Sequence, residues 1–261
     1  MNGARIWVED EGDGPAVLFV HGGLGDSRLW EPEARALAGH FRTIRYDLRF
    51  WGRSESPGVE FSSLDDLVGV LDALGVDRAA LVGLSLGGGL ALDAALAHPD
   101  RVCALVHVAG GVTGMPVNAY SDEQDNAYDA AEARGDLEAM MAIDFAVWAP
   151  LGAGEEYREL WRATPDAMRL PEGAHPRPRE PADLDAVAVP TLVIVAAHDP
   201  PSLREVGATV ARRVSGAQLV EVDSDHYLTL REPDRITRIL EQFLVEAAPA
   251  NPSSRPSSSS C

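Results

Sequence analysis

The stretch Ala79-Ala80-Leu81-Val82-Gly83-Leu84-Ser85-Leu86-Gly87 decides the fold. Its apolar start reads as a buried parallel strand, and Leu86 opens a helical stretch that runs to Ala97. Gly83-Leu84-Ser85-Leu86-Gly87 is therefore a G-x-S-x-G turn in a strand-turn-helix setting. A serine on such a sharp turn sits in a strained backbone conformation, and a Cβ at either flanking position would collide with the adjoining strand or helix. The turn lifts the Ser85 hydroxyl out of the sheet and makes it the candidate nucleophile.

A serine hydroxyl is a poor nucleophile at neutral pH. It needs an imidazole to take its proton and a carboxylate to hold that imidazole in one tautomer. The chain order that goes with this turn is serine, acid, histidine. Asp199 follows the apolar run Thr191 to Ala196, and His226 follows Leu219 to Val222, so both fall at the C-terminal edge of a parallel sheet, where sites of open α/β folds lie. Alone, Asp199 reads as a loop or N-cap aspartate ahead of Pro200-Pro201-Ser202, and His226 as a solvated loop histidine. Their placement after successive strands favours catalytic roles. Asp223 and Asp225 compete as the acid, but they are too near His226 in sequence to reach its far ring nitrogen easily.

Acyl transfer also develops an oxyanion, which needs fixed backbone N–H donors. The amide of Leu86 is one candidate. The second comes from His21-Gly22-Gly23-Leu24-Gly25, where Gly23 is the choice and Leu24 the runner-up. His21 reads as a brace for this loop.

Outward from the serine, apolar runs at Ala16–Val20, Thr43–Tyr46, Ala79–Gly83, Val102–Val108, Thr191–Ala196 and Gln218–Val222 read as strands, with Arg5–Glu9 as an antiparallel edge. Helical stretches lie between them around Glu31–Gly39, Leu64–Leu74, Leu86–Ala97, Ser202–Val214 and Arg235–Ala247. The expectation is a doubly wound, mostly parallel α/β sheet over residues 1–112 and 186–247. Residues 113–185 break the alternation with helices near Asp122–Arg134, Leu137–Trp148 and Glu155–Met168, which predicts a helical cap. Prolines between Pro171 and Pro181 predict an extended return to the core. Residues 248–261, rich in Ser and Pro, predict a disordered tail.

The 261 residues carry 46% apolar and 24% charged side chains, the balance of a globular protein with a sizeable core. A net charge of −19 repels phosphate backbones and anionic membranes, so neither nucleic acid nor membrane is an expected partner. The N-terminus lacks a basic stretch followed by a long apolar run, and no window is apolar enough to span a bilayer, which predicts a cytoplasmic protein. Cys103 and Cys261 are the two cysteines, and a disulfide between an apolar run and a polar tail is not expected.

These motifs together resemble the α/β-hydrolase superfamily, in particular its cap-bearing enol-lactonases, small esterases, cofactor-free perhydrolases and carbon–carbon bond hydrolases. The likeness rests on His21-Gly22-Gly23, Tyr46-Asp47-Leu48-Arg49 with Gly52-Arg53-Ser54, the turn at Ser85, His198-Asp199, and Asp225-His226 ahead of Glu232-Pro233. It implies a hydrolase without metal or organic cofactor, acting on a small molecule. Ester or lactone hydrolysis through an acyl-serine is the expected reaction. A carbon–carbon hydrolase or perhydrolase on the same residues, or a small-molecule receptor, are the alternatives. Relatives that open epoxides or haloalkanes carry an aspartate where this chain has Ser85. Two departures stand out: Phe50 replaces a glycine of the D-x-R-G-x-G-x-S pattern, and the opening hairpin is one strand short, which predicts seven strands. Pocket walls are expected from Leu24, Trp30, Phe50, Trp51, Met140, Met141, Phe145 and Trp148, with core packing as the competing reading of the aromatics and methionines.

Overall fold

The computed structural model describes residues 3–55, 60–162, 164, 175–176 and 182–247. Its strands are β1 (Val8–Glu11), β2 (Ala16–Val20), β3 (Arg42–Tyr46), β4 (Glu60–Phe61), β5 (Ala79–Leu84), β6 (Val102–Val108), β7 (His175–Pro176), β8 (Thr191–Ala196) and β9 (Gln218–Val222). The helices are α1 (Glu31–Leu37), α2 (Ser63–Ala73), α3 (Leu86–Ala97), α4 (Asp122–Arg134), α5 (Leu137–Trp148), α6 (Glu155–Arg162), α7 (Pro201–Arg213), α8 (Leu228–Arg231) and α9 (Pro233–Ala247).

Seven strands form one sheet in the order β1-β3-β2-β5-β6-β8-β9, parallel except for β1. Successive side chains alternate between its faces. Val17 and Phe19 enter one core cluster with Trp30 and α9, whereas Leu18 and Val20 enter the other with α2 and α3. Helix α3 packs on β5, β6 and α2, and its residues Gly87 to Ala95 are all buried. Apart from Asp93, these buried residues are small or aliphatic, which lets the helix pack this closely.

The antiparallel edge expected at Arg5–Glu9 forms instead at Val8–Glu11, paired from Val8↔Tyr46 to Glu11↔Thr43. The preceding residues are held by the loop after β3. The Trp7 N–H donates to Ser54 Oγ at 3.0 Å, and Arg5 pairs with Glu55. The Arg53 guanidinium lies 3.0 Å over the Trp7 ring. A short parallel ladder between β4 and β7 was not anticipated from sequence. Apart from β7, the expected proline-rich return lies outside the described residues, as do the end of the helix expected to reach Met168 and the tail. Among the described residues, no helix is long and apolar enough to cross a membrane.

One core group is costly. Glu33 of α1 is fully buried, and neither carboxyl oxygen has a hydrogen-bond partner from another described residue. Burial pushes this carboxyl well above the ordinary value of 4.5. The folded protein keeps that proton at pH values where the unfolded chain has released it. Stability is therefore intact below the ordinary glutamate value and falls as pH rises toward the folded one. Glu33→Gln is expected to raise the melting temperature at pH 8 by about 2–4 °C or more, the equivalent of ~1 kcal/mol in a chain of this size. Thermal melts should show the gain disappearing near pH 4.

Candidate active site

Ser85 stands between β5 and α3 with φ +54° and ψ −115°. This conformation is fixed from several sides. The Ser85 N–H donates to the Val108 carbonyl at 2.9 Å, and the Ser85 carbonyl accepts from Gly89 and Gly111. The flanking glycines are sterically required. A Cβ on Gly83 would lie 2.2 Å from the Gly87 carbonyl oxygen, and one on Gly87 would lie 2.3 Å from that of Val20. As the first helical residue, Leu86 has an N–H that no carbonyl of its own helix can reach.

The loops after β8 and β9 bring Asp199 and His226 together. His226 Nδ1 lies 3.1 and 3.2 Å from the two Asp199 carboxylate oxygens, and both side chains are buried. The competing acids face elsewhere. Asp223 pairs with His198 at 2.9 Å. Asp225 is fully buried and accepts from Arg231 at 2.7 Å and from the Tyr227 and Leu151 N–H groups. With Nδ1 turned to Asp199, the imidazole presents Nε2 to the cleft.

Ser85 and His226 share the wall of a narrow cleft of about 10 Å³ with Gly22, Gly23, Leu24 and Tyr227. The two oxyanion-loop candidates thus border the serine. The loop is braced by His21, which is buried and accepts the Leu48 N–H on Nε2 at 2.9 Å. Its Nδ1 then carries the hydrogen and donates to the Gly22 carbonyl at 2.7 Å. Burial lowers the pKa of this imidazole and favours the neutral form. The Trp51 indole N–H adds a bond to the Gly23 carbonyl at 2.8 Å. Trp51→Phe removes that bond. It is expected to lower turnover about 10-fold, since small displacements of an oxyanion donor are costly. Circular dichroism melts on the same preparation should stay close to wild type.

A larger cavity of about 360 Å³ also borders Ser85, at the start of α3. Trp148 forms part of its wall and Leu24 part of the cleft. Other expected pocket residues have different surroundings. Trp30 is fully buried and donates its indole N–H to the Val20 carbonyl, so it belongs to the core. Phe50 holds φ +76° and turns its ring onto Phe61 at 4.9 Å. The backbone thus keeps the left-handed turn that a glycine would make easily, at a cost of about 1–2 kcal/mol. Trp51 braces the loop. Met140 and Met141 lie in the core cluster that runs from the sheet into α5. Phe145 stacks edge-on against Tyr227, which lines the cleft.

Sequence reasoning missed Tyr120, Asp144 and Tyr227. Buried Asp144 accepts from Tyr120 Oη and from Trp161 Nε1, each at 2.6 Å, while Tyr120 Oη accepts from Trp148 Nε1 at 2.6 Å. Burial and the nearby Asp144 raise the Tyr120 pKa and keep its phenol protonated. The Trp148 ring in turn lies 4.6 Å from that of His226, and its carbonyl accepts the His226 N–H. A single acid in the otherwise apolar run Met140 to Trp148 was the available signal. Among the described residues, no cluster of three or more His, Cys, Asp or Glu is placed to hold a metal ion.

Several known proteins resemble this chain. A 2-hydroxymuconate semialdehyde hydrolase of Pseudomonas putida is 30% identical over 94% of this chain and 92% of its own length. An epoxide hydrolase of Caballeronia sordidicola is 34% identical over 64% of this chain, and the match spans 59% of that protein. Among solved structures, a thermophilic esterase from Thermogutta terrifontis superposes with a TM-score of 0.73 at 26% identity, covering 94% of each chain. Residues 15–233 match the profile of the family described as alpha/beta hydrolase fold. The sheet order, the turn at Ser85 and this match agree, and the chain belongs to the alpha/beta hydrolase fold family.

Proposed function

We propose that the protein is a serine hydrolase that cleaves a small carboxylic ester or lactone through an acyl-serine. The observation that carries this reading is the imidazole of His226, held by Asp199 at one nitrogen and bordering the same cleft as the strained Ser85. In this mechanism His226 Nε2 takes the Ser85 proton as Oγ attacks the carbonyl carbon. The Leu86 and Gly23 N–H groups hold the developing oxyanion. His226 then protonates the leaving oxygen, and water, activated by the same imidazole, releases the acid. Asp199 keeps the imidazole in the productive tautomer and stabilises the imidazolium. The helices α4 to α6, which follow β6, act as a cap that limits substrate size.

The esterase likeness over almost the whole chain supports this chemistry. The serine itself argues against epoxide opening, despite the epoxide hydrolase among the relatives. A second reading, carbon–carbon bond cleavage on the same three residues, draws support from the Pseudomonas putida relative. The test is intact-mass analysis after fluorophosphonate treatment, alongside an assay on short-chain esters. One adduct, mapped to Ser85 and accompanied by ester turnover, is the expected result. Folded protein with neither adduct nor turnover would overturn the hydrolase reading and favour a receptor.

A further inference from the structure

Resting on the acyl-serine reading, we propose that Asp144 is a positioning residue for His226. It acts through Tyr120 and Trp148, and holds the Trp148 indole against the face of the imidazole. Asp144 itself lines neither the cleft nor the larger cavity beside Ser85.

The freedom left to His226 comes first. Asp199 fixes the Nδ1 edge of the ring, and the His226 N–H donates to the Trp148 carbonyl at 3.2 Å. A ring pinned at one edge can still pivot and carry Nε2 away from the serine. The Trp148 ring, centred 4.6 Å away and inclined at 47°, blocks that pivot on its own side. When the imidazole takes up the serine proton, the same indole meets a cation. An aromatic face beside a buried cation favours the charged form, so one contact both orients the base and supports the imidazolium.

An indole at the edge of a cavity needs a hold of its own. Trp148 is the last residue of α5 and part of the wall of the cavity of about 360 Å³, so its ring has room to swing away. The hold is its Nε1–H, donated to Tyr120 Oη at 2.6 Å. An indole nitrogen only donates, so Tyr120 Oη accepts from Trp148 and directs its own hydrogen to Asp144, also at 2.6 Å. Trp161 Nε1 of α6 donates to the other Asp144 oxygen at 2.6 Å. The chain of bonds thus runs in one direction from the indole to the carboxylate. A carboxylate acceptor shortens and strengthens such bonds, and a hydroxyl that donates to an anion becomes a better acceptor for the indole N–H.

Desolvating this carboxylate is costly, and the donors it receives from the described residues are both neutral. An apolar side chain would suit the run Met140 to Trp148 at least as well for packing. What the acid adds is direction, because it fixes where two donors point. Asp144 and Trp148 lie one turn apart on α5, so the same helix carries the anchor and the ring that it orients.

Asp144→Asn keeps the volume and removes the charge. Its amide nitrogen must face one of the two donors, so one bond of the chain is lost. Kinetics on p-nitrophenyl acetate and p-nitrophenyl butyrate, with enzyme concentration set by fluorophosphonate titration, are expected to show kcat about 10-fold lower and KM unchanged on both esters. The rate of fluorophosphonate labelling at Ser85 should fall in step. Trp148→Phe, which cuts the chain at its far end, is expected to lose about as much kcat, and Asp144→Asn added to it should lose nothing further. Wild-type kcat with a lowered melting temperature in Asp144→Asn would make the acid a brace for the helices alone. A raised KM at unchanged kcat would make it a support for the cavity wall, and losses that multiply in the double variant would place its effect elsewhere. Each of these results overturns the assignment, while labelling and turnover of the wild type keep the acyl-serine intact. If Asp144→Asn does not fold, Tyr120→Phe removes the middle of the chain and supplies the same comparison. Wild-type protein that neither labels nor turns over ester would overturn the acyl-serine reading and this inference with it.

Discussion

Ser85→Ala is expected to lower kcat for ester hydrolysis by about 10⁴- to 10⁶-fold and to eliminate fluorophosphonate labelling, with no loss of folded structure. The substitution removes the attacking oxygen and leaves the backbone at this position to hold the same turn. That turn is fixed by backbone bonds with Val108, Gly89 and Gly111, none of which involves the hydroxyl. The strained φ of +54° remains. Active-site titration and a melting curve on one preparation check both halves of this expectation. A variant that kept even a hundredth of wild-type turnover would show that another group attacks.

Asp199→Asn should be almost as damaging, lowering kcat about 10⁴-fold. The amide preserves shape, but it offers an N–H where the imidazole needs an acceptor, and it no longer stabilises an imidazolium. The sharpest comparison is with Asp225→Asn, also buried and only one residue from His226. Asp225 bonds Arg231 and two loop N–H groups, so its loss should lower the melting temperature by several degrees and turnover far less. If the two variants exchanged effects, Asp225 would be the orienting acid.

The buried strands were legible because β2, β5, β6 and β8 are apolar runs closed by turn residues, and the helices between them keep their period. The edge strand was misplaced because Val8-Glu9-Asp10-Glu11 carries no apolar alternation and becomes a strand by pairing with β3. The three residues proposed for catalysis could be picked from their positions after strands, since a parallel sheet sends such loops to one edge. Pocket walls were harder to read. Bulk and hydrophobicity mark Trp30, Phe50 and Trp51 as important without giving the direction in which each ring points. A carbonyl fixes that direction for Trp30 and Trp51, and the Phe61 ring does so for Phe50. Tyr120 sits in a loop without period, and its role depends on an acid in a different helix.

The strand order β5-β6-β8-β9 also makes activity a measure of complete folding. The serine turn belongs to the first third of the chain, but the histidine follows the last strand to join the sheet. During synthesis the proposed nucleophile exists long before its proposed base, so on this reading an incomplete chain exposes an inert hydroxyl and not a loose hydrolase. β9 reaches the rest of the sheet only through β8, which pairs with β6 across the long stretch of chain between Val108 and Thr191, a closure that costs entropy and slows folding. In a refolding experiment, compact structure and tryptophan burial should therefore precede the return of ester turnover, and that lag would time the docking of the two C-terminal strands.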